Sequence, residues 1–536
     1  MRRILAFFQM EVSEATGNAL VQLLHGKMLV RQGCPAKKGK HVLLYWKSEM
    51  CPGEISPKSK PLAGVAEQYS RFVAWLALRM PGERQRLLAF TILSGGLCGL
   101  AAVAFHITAG RLEALWIEPA AAAAGHAWIW LTILTPAVGG AVAGVGLTYW
   151  APAAAGSGIP QVKVAYFRRF GFISFKETVG KFVLCVIQLG AGASLGVEGP
   201  TVHICSGVSS MLARAARLSP ENRRRMTSVG MAAGIAAAFN APIAAVTFTL
   251  EELVGNLDQT MLSGVIVAAA LAAVVEHSTP GFGSAPLFHL KRDYTLGSAS
   301  SLMWYALLGV LAAVVSIAFT DSLLWLRLWF RMLKRVPKWV QPGIGGAATG
   351  SFAVVALYFF HVNGIAGDPY KTLTMALVGG LPVLAMAVLC VLKLAATVTS
   401  YSSGGAGGIF APALFMGGML GGAVGYIDVA VFHHPADSIG AFAVVGMGAV
   451  FAGVVRAPMT SVLIIFEMTG GYGLVLPLMI ANMSAFALAR HWRHTPVYEA
   501  LLEQDGIFLP GGGHPLESTA DEDDLAHIPQ SHSAEE

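Results

Sequence analysis

The stretch Ala193-Ser-Leu-Gly-Val-Glu-Gly-Pro-Thr-Val-His203 places one carboxylate, Glu198, in the middle of a long apolar tract. A carboxylate at membrane depth is costly, so such a group usually faces a water-filled or protein-lined cavity and has a function there. The flanking Gly196 and Gly199 let backbone approach closely, and Pro200 suits the first turn of a helix. A helix that begins here points free N–H groups at whatever lies in front of it. The stretch therefore predicts an anion site with a titratable acid at its mouth.

The composition is that of a membrane protein. Of the 536 residues, 55% are hydrophobic and 13% are charged, and the mean hydropathy is +0.60. The apolar runs are much longer than the strands of a membrane barrel, so we predict an all-α polytopic membrane protein in a lipid bilayer. The net charge of +6 comes from Lys and Arg in flanking segments. This distribution favours positive-inside loops over nucleic-acid binding.

The sequence predicts neither a metal nor a cofactor. The six cysteines are scattered, and none pair at metal-ligand spacing, so we interpret them as packing residues. The apolar tracts contain no His-Glu-x-x-His pattern. No signal peptide is visible in the basic N-terminal region.

Three regions are distinguished by charge and hydrophobicity. Residues 1–85 are basic, have no sustained apolar run and are expected to form a cytoplasmic extension. Residues 86–490 hold the apolar segments of the predicted transmembrane domain. Residues 491–536 are polar and end acidic, which predicts a cytoplasmic tail with a disordered end. Both termini are thus expected in the cytoplasm.

The apolar segments differ in length. Leu88–His106 and Ala127–Trp150 are predicted membrane spans. Other segments are interrupted by Gly, Pro and Ser, among them Gly408–Met419 and Gly421–Val431, which we predict to be two separate pieces. Several pieces are too short for a hydrocarbon core of about 30 Å, which takes about 20 helical residues. Broken helices at membrane depth are tolerated where they line a cavity, so they point to a substrate site.

An internal repeat relates two parts of this domain. Gly230-Met-Ala-Ala-Gly-Ile-Ala-Ala-Ala-Phe-Asn-Ala-Pro242 resembles Gly446-Met-Gly-Ala-Val-Phe-Ala-Gly-Val-Val-Arg-Ala-Pro458. In each copy a glutamate, Glu251 or Glu467, follows ten residues after the alanine that precedes the proline. Corresponding positions in two copies are expected to have the same local structure.

The opening motif has a partner in the second copy. Residues 196–200 align with residues 408–412 as Gly-x-x-x-Pro, and the two motifs occur in the same order in both copies. We therefore predict one repeat over about residues 86–290 and a second over about residues 300–490. Duplicated halves with corresponding broken segments are typical of transporters whose site lies at the repeat interface.

Three motifs predict helix starts that point inward: Gly156-Ser-Gly-Ile-Pro160, Gly196 to Pro200, and Gly407-Gly-Ile-Phe-Ala-Pro412. Each would present N–H donors and the positive end of a helix dipole, and Ser157 adds a hydroxyl. The motifs contain no Lys or Arg. Partial charges bind an anion weakly enough for it to leave again, so the three motifs together predict an anion path.

These motifs and Pro496-Val-Tyr498, in this order, resemble the CLC family of chloride channels and proton/chloride antiporters over roughly residues 88–502. The resemblance implies a homodimer whose subunits each have two inverted halves of tilted and broken helices and one anion pathway. It implies chloride and protons as the transported ions, and it suggests the bacterial cell membrane as the location. Because little of the sequence follows Tyr498, we expect no paired CBS regulatory domains of the kind that many members carry.

The resemblance also implies roles for individual residues. The hydroxyls of Ser157 and Tyr498 and the backbone N–H groups of Ile409 and Phe410 would hold the central anion. Glu198 would be the gating glutamate. A serine at position 157 suggests chloride, where proline would suggest nitrate.

Glu252 decides between two modes of transport. It matches the internal proton glutamate of the family's antiporters, where true channels usually carry a non-acidic residue. The other interpretation is that Glu251 and Glu252 mark a helix end at the water interface. Glutamates at both 198 and 252 favour antiport, and an uncoupled chloride channel remains the alternative.

An intramembrane enzyme using Glu198 and His203 is a remote alternative, because five helical residues separate them by about 500°. Two positions depart from the family pattern. Val197 replaces a basic residue of many members, and Lys181, which matches another basic position, could compensate. Lys163 stands where a bacterial pattern has an acid, so the local charge pairing is expected to differ.

Overall fold

The computed structural model describes residues 82–254, 259–279, 288, 301–433 and 438–509. Most of the predicted extension (1–85) and the end of the predicted tail lie outside these residues. The described chain is helical, and extended pairing within it is limited to two isolated bridges. Eight of the described helices are long and apolar enough to cross a membrane. The protein is therefore an all-α polytopic membrane protein, as the composition predicts.

The helices before residue 280 are α1 (Glu83–Ala121), α2 (Ala127–Tyr149), α3 (Ile159–Arg168), α4 (Phe175–Gly190), α5 (Glu198–Ala215), α6 (Pro220–Phe239), α7 (Pro242–Phe248) and α8 (Gln259–His277). Those after residue 300 are α9 (Ser301–Met332), α10 (Gln341–Phe360), α11 (Tyr370–Leu377), α12 (Val383–Ser402), α13 (Phe410–Phe432), α14 (Ser438–Val455), α15 (Pro458–Thr469), α16 (Val475–Trp492) and α17 (Val497–Gln504). Lengths vary widely, and α3, α7, α11, α15 and α17 are too short to cross a membrane.

Two predicted boundaries were wrong. The first span extends far beyond Leu88–His106, since α1 continues to Ala121 and tolerates Pro119 in its last turn. The two pieces predicted at Gly408–Met419 and Gly421–Val431 form the single helix α13. Its glycines do not break it, because they serve packing: a Cβ on Gly417 would collide with the backbone of Gly446 on α14.

Corresponding positions of the internal repeat have the same local structure. Asn240 and Arg456 both adopt left-handed backbone conformations, with φ of 52° and 70°. Each ends a long helix, and the following Ala-Pro pair starts a short one, α7 or α15. The proline occupies the first helical turn, where a missing N–H costs nothing.

The core lies between the paired helices of the two halves. Helix α5 packs along α6, and α13 packs along α14 in the same way. Almost every residue of α14 is buried. Large apolar side chains are exposed instead on α1, α2, α9, α10 and α16, the faces available to lipid. This arrangement puts the helix starts of α5 and α13 in the interior.

Candidate functional site

The three predicted motifs meet through their backbones. Gly196 and Gly408 exchange two hydrogen bonds, with N···O distances of 2.8 and 2.7 Å. Gly156 accepts from the N–H of Gly407 at 3.1 Å and donates to the carbonyl of Gly405 at 2.9 Å. Helices α3, α5 and α13 begin within three residues of these contacts. The first N–H groups of each helix have no partner inside it, so three sets of donors lie close together.

Glycine is required at the meeting point. A Cβ on Gly199 would lie 2.6 Å from both the carbonyl oxygen and the hydroxyl of Ser157. A Cβ on Gly408 would lie 2.9 Å from the nitrogen of Gly199. Gly158 has a φ of 108°, which side chains of L residues rarely adopt. The close approach of the motifs therefore depends on residues without side chains.

Two buried hydroxyls lie in this region, those of Ser157 and Tyr498. Ser157 and Tyr498 are both fully buried. Among the described residues, neither Ser157 Oγ nor the Tyr498 hydroxyl makes a hydrogen bond of good geometry, and their nearest polar interaction is with each other. Buried polar atoms are normally satisfied, and leaving one unpaired costs about 1–3 kcal/mol. Such a pair of hydroxyls is suited to a polar ligand.

Phe410 joins Tyr498 to the motifs. Its ring packs edge-on against Tyr498, with centroids 6.3 Å apart, and also contacts Phe248 and Phe451. Ile409 and Phe410 are fully buried at the start of α13. The structure thus brings together all four residues predicted to hold the anion. Glu198 and Phe410 are each the first residue of their helix, which agrees with the alignment of the two repeats.

The carboxylate of Glu198 is fully buried. Oε2 accepts from the backbone N–H of Ala411 at 3.4 Å, in the first turn of α13. Oε1 accepts from the hydroxyl of Tyr370 at 2.6 Å. Sequence reasoning missed Tyr370, which lies 172 residues away at the start of α11 and outside every motif.

A cavity of about 240 Å³ opens in front of Glu198. Besides Glu198 and Tyr370 it is lined by three carboxylates, Glu113, Glu276 and Asp368. Lys371, the neighbour of Tyr370, pairs with Glu118 at 2.9 Å, and this hydrogen bond raises the pKa of Lys371. The cavity therefore has room for small molecules beside Glu198.

Lys163 organises a second cluster of charges. Its ammonium lies 2.8 Å from Oε1 of Glu252 and also pairs with Glu499. The side chains of Lys163 and Glu252 are only 5% and 7% exposed, so the pair is buried. Lys163 is on α3, which begins with the Ser157 motif, and Glu499 follows Tyr498 on α17. The predicted change in charge pairing at Lys163 therefore takes the form of a bridge to two acids.

Glu251 has a different role from its neighbour Glu252. Its carboxylate accepts from the N–H groups of Met459 at 3.2 Å and Thr460 at 2.8 Å. In the other half, Glu467 accepts from the N–H groups of Ile243 at 3.0 Å and Ala244 at 2.7 Å. Each repeat therefore supplies the carboxylate that caps the short helix of the other.

Two buried lysines hold loops by their carbonyl groups. Lys181 donates to the carbonyl oxygens of Ala154 at 2.9 Å and Gly156 at 2.5 Å. It therefore holds the backbone at the start of the Gly156–Pro160 motif. Lys393 donates to the carbonyls of Gly364 and Ile365 at 2.7 and 3.2 Å. Both lysines therefore fix the backbone of loops in the interior of the protein.

Comparison with known protein families and structures agrees with this geometry. The family model "Voltage gated chloride channel" matches residues 139–490. A protein of Salmonella typhi, named H(+)/Cl(-) exchange transporter ClcA, is 31% identical over 427 residues, which cover 78% of this chain and 88% of that protein. The crystal structure of a slow cyanobacterial Cl⁻/H⁺ antiporter superposes with a TM-score of 0.71 at 25% identity, covering 78% of this chain and 98% of the other. The fold is also that of a eukaryotic CLC transporter, with a TM-score of 0.65, 22% identity and coverage of 78% and 74% of the two chains.

Proposed function

The chain belongs to the voltage-gated chloride channel family, and we propose that it is a membrane transporter that exchanges chloride for protons through the Glu198 site. The observation that carries this proposal is the position of the Glu198 carboxylate. It accepts from the N–H of Ala411, in the first turn of α13. That is where the positive end of a helix dipole attracts an anion.

The anion path consists of partial charges. The hydroxyls of Ser157 and Tyr498 and the N–H groups of Ile409 and Phe410 would hold chloride between α3, α13 and α17. The two hydroxyls are buried, and within the described part of the chain neither makes a hydrogen bond of good geometry, so binding an anion would satisfy both. The motifs themselves contain no full positive charge, which keeps the affinity low enough for the ion to leave.

Glu198 links anion movement to protons by competition. An ionised carboxylate occupies donors that would otherwise attract an anion. Protonation removes its charge and weakens its hold on the same donors, so an anion can take its place. Glu198 thereby alternates between two states. In one the ionised carboxylate occupies the donors, and in the other the acid is protonated and an anion occupies them.

Glu252 would serve as the second proton acceptor. It is buried beside Lys163, so it can hold a proton or pair with the ammonium. A coupled exchanger needs an acid on each side of the anion path, and Glu198 and Glu252 are the two acids proposed for these roles. An uncoupled chloride channel would need only the first.

For assembly and location we propose a homodimer in the bacterial inner membrane, with both termini in the cytoplasm. Helices α7 and α15 pack on each other, and each carries an exposed apolar residue at its start, Ile243 at 56% and Met459 at 67% exposure. These side chains would be covered by a second copy. The division into repeats at about 86–290 and 300–490 is part of the same proposal.

Proton movement in liposomes tests the proposed function. Purified protein is reconstituted with a chloride gradient, and internal pH is followed together with chloride flux. Uphill proton transport driven by chloride supports exchange, whereas chloride flux without proton transport identifies the uncoupled channel.

A further inference from the structure

Tyr370 provides a contact to Glu198 that no sequence motif contains. Its hydroxyl donates to Oε1 at 2.6 Å, the range of strong O–H···O⁻ hydrogen bonds. The other oxygen of Glu198 accepts from the N–H of Ala411 at the longer distance of 3.4 Å. By distance, the tyrosine makes the closer of these two hydrogen bonds.

The position of Tyr370 is fixed by its surroundings. It is the first residue of α11, and its N–H donates to Oδ1 of Asp368 at 3.1 Å. The N–H of Asp368 in turn donates to Oε1 of Glu113 on α1 at 2.7 Å. The ring of Tyr370 packs edge-on against Phe288, with centroids 5.8 Å apart. Lys393 of α12 holds the preceding loop through the carbonyl of Gly364.

We infer that Tyr370 is a positioning residue that holds the ionised Glu198 carboxylate in its blocking position and thereby sets how readily protons and anions displace it. The inference rests on the proposed function. A hydrogen bond from a neutral hydroxyl stabilises the carboxylate more than the protonated acid. Tyr370 therefore opposes protonation of Glu198, and it strengthens the carboxylate in its competition with chloride.

Several other titratable groups face the same cavity. They are His106 and Glu113 of α1, Glu276 of α8 and Asp368 of the loop before α11. Lys393 lies behind that loop. Replacing Tyr370 by Phe keeps the ring and removes only the hydroxyl, so these groups keep their places while the contact to Glu198 is lost.

The test is the pH dependence of chloride flux in liposomes for wild type and Tyr370→Phe. The midpoint of activation by acid should move to higher pH by about one unit or more, since a hydrogen bond to a charged group is lost. The chloride concentration that gives half-maximal flux at neutral pH should fall. Tyr358→Phe, at an exposed position of α10, is the matched control and should give the wild-type profile.

A second variant separates positioning from a merely structural role. In a Glu198→Ala background the carboxylate is absent, so the shift in pH midpoint caused by Tyr370→Phe should disappear. A shift that persists there would overturn the inference, as would coincident wild-type and Tyr370→Phe profiles. A wild-type protein that moves no chloride would instead contradict the proposed function.

Discussion

The ammonium of Lys163 lies 2.8 Å from a carboxylate oxygen of Glu252, with both side chains buried. The same ammonium pairs with Glu499, so one buried cation is shared by two acids. Removing one partner of a buried ion pair leaves an uncompensated charge and costs about 3–5 kcal/mol. This bridge connects α3, α17 and the π-helical turn Thr249–Val254, which carries Glu252.

Lys163→Met should therefore destabilise the protein strongly, because Glu252 and Glu499 would face each other without a cation. We expect a clear fall in the midpoint of thermal unfolding in detergent. The double variant Lys163→Met/Glu252→Gln removes one of the two acids and should recover part of the loss. Equal stability of Lys163→Met and wild type would show that the bridge contributes little.

Glu499→Gln should slow proton transport more than chloride transport. One oxygen of Glu499 pairs with Lys163, while Oε2 is buried and has no partner among the described residues. The Lys163 ammonium can give one proton to Glu252 and regain one from a protonated Glu499, so Glu499 would resupply the proton that Glu252 takes. The ratio of proton to chloride flux in liposomes measures the effect, and Glu503→Gln, one turn further along α17, is the control. A ratio unchanged by Glu499→Gln would exclude this route.

Glu251→Gln and Glu252→Gln should have different effects although the residues are adjacent. The Glu251 carboxylate caps α15, so its loss should cost stability of about 0.5–2 kcal/mol, as for other N-terminal caps. The proton coupling of the Glu251→Gln variant should remain close to that of wild type. Glu252→Gln should instead abolish proton transport and leave chloride flux. Loss of coupling in both variants would contradict the separation of roles.

Ser157→Ala and Tyr498→Phe should each weaken chloride binding, because each removes a buried hydroxyl proposed to donate to the anion. The expected loss is about tenfold in affinity, the effect of one hydrogen bond to an anion. Titration calorimetry with chloride in detergent provides the measurement. Ser351→Ala, on the exposed face of α10, is a suitable control. Unchanged affinity in both site variants would place the anion elsewhere.

Much of the site could be predicted because its donors are backbone groups. Motifs that run from Gly to Pro indicate where a helix starts and where two backbone segments can approach closely. The motifs containing Ser157, Glu198 and Phe410 do lie together in the structure. The equal spacing from Ala-Pro to Glu in the two copies is also visible in the sequence. Its meaning, the exchange of caps between Glu251 and Glu467, becomes visible only when the two halves are packed together.

Tyr370 and Glu499 could not be found in this way. Each lies on a helix of eight residues whose neighbours in space are far away in sequence. Their contacts depend on tertiary packing, for which local patterns carry no signal. The prediction that α13 is broken at its glycines was wrong for a related reason. A glycine can either interrupt a helix or allow close packing against a neighbour, and the local sequence does not distinguish the two.

The most direct measurement of the central claim is uphill proton transport driven by a chloride gradient in liposomes. Wild-type protein should acidify or alkalinise the interior against the proton gradient, and the direction should reverse when the chloride gradient is reversed. Glu198→Ala should abolish proton movement while chloride still passes, since the competing carboxylate is gone. Wild-type chloride flux without any coupled proton movement would contradict exchange through Glu198.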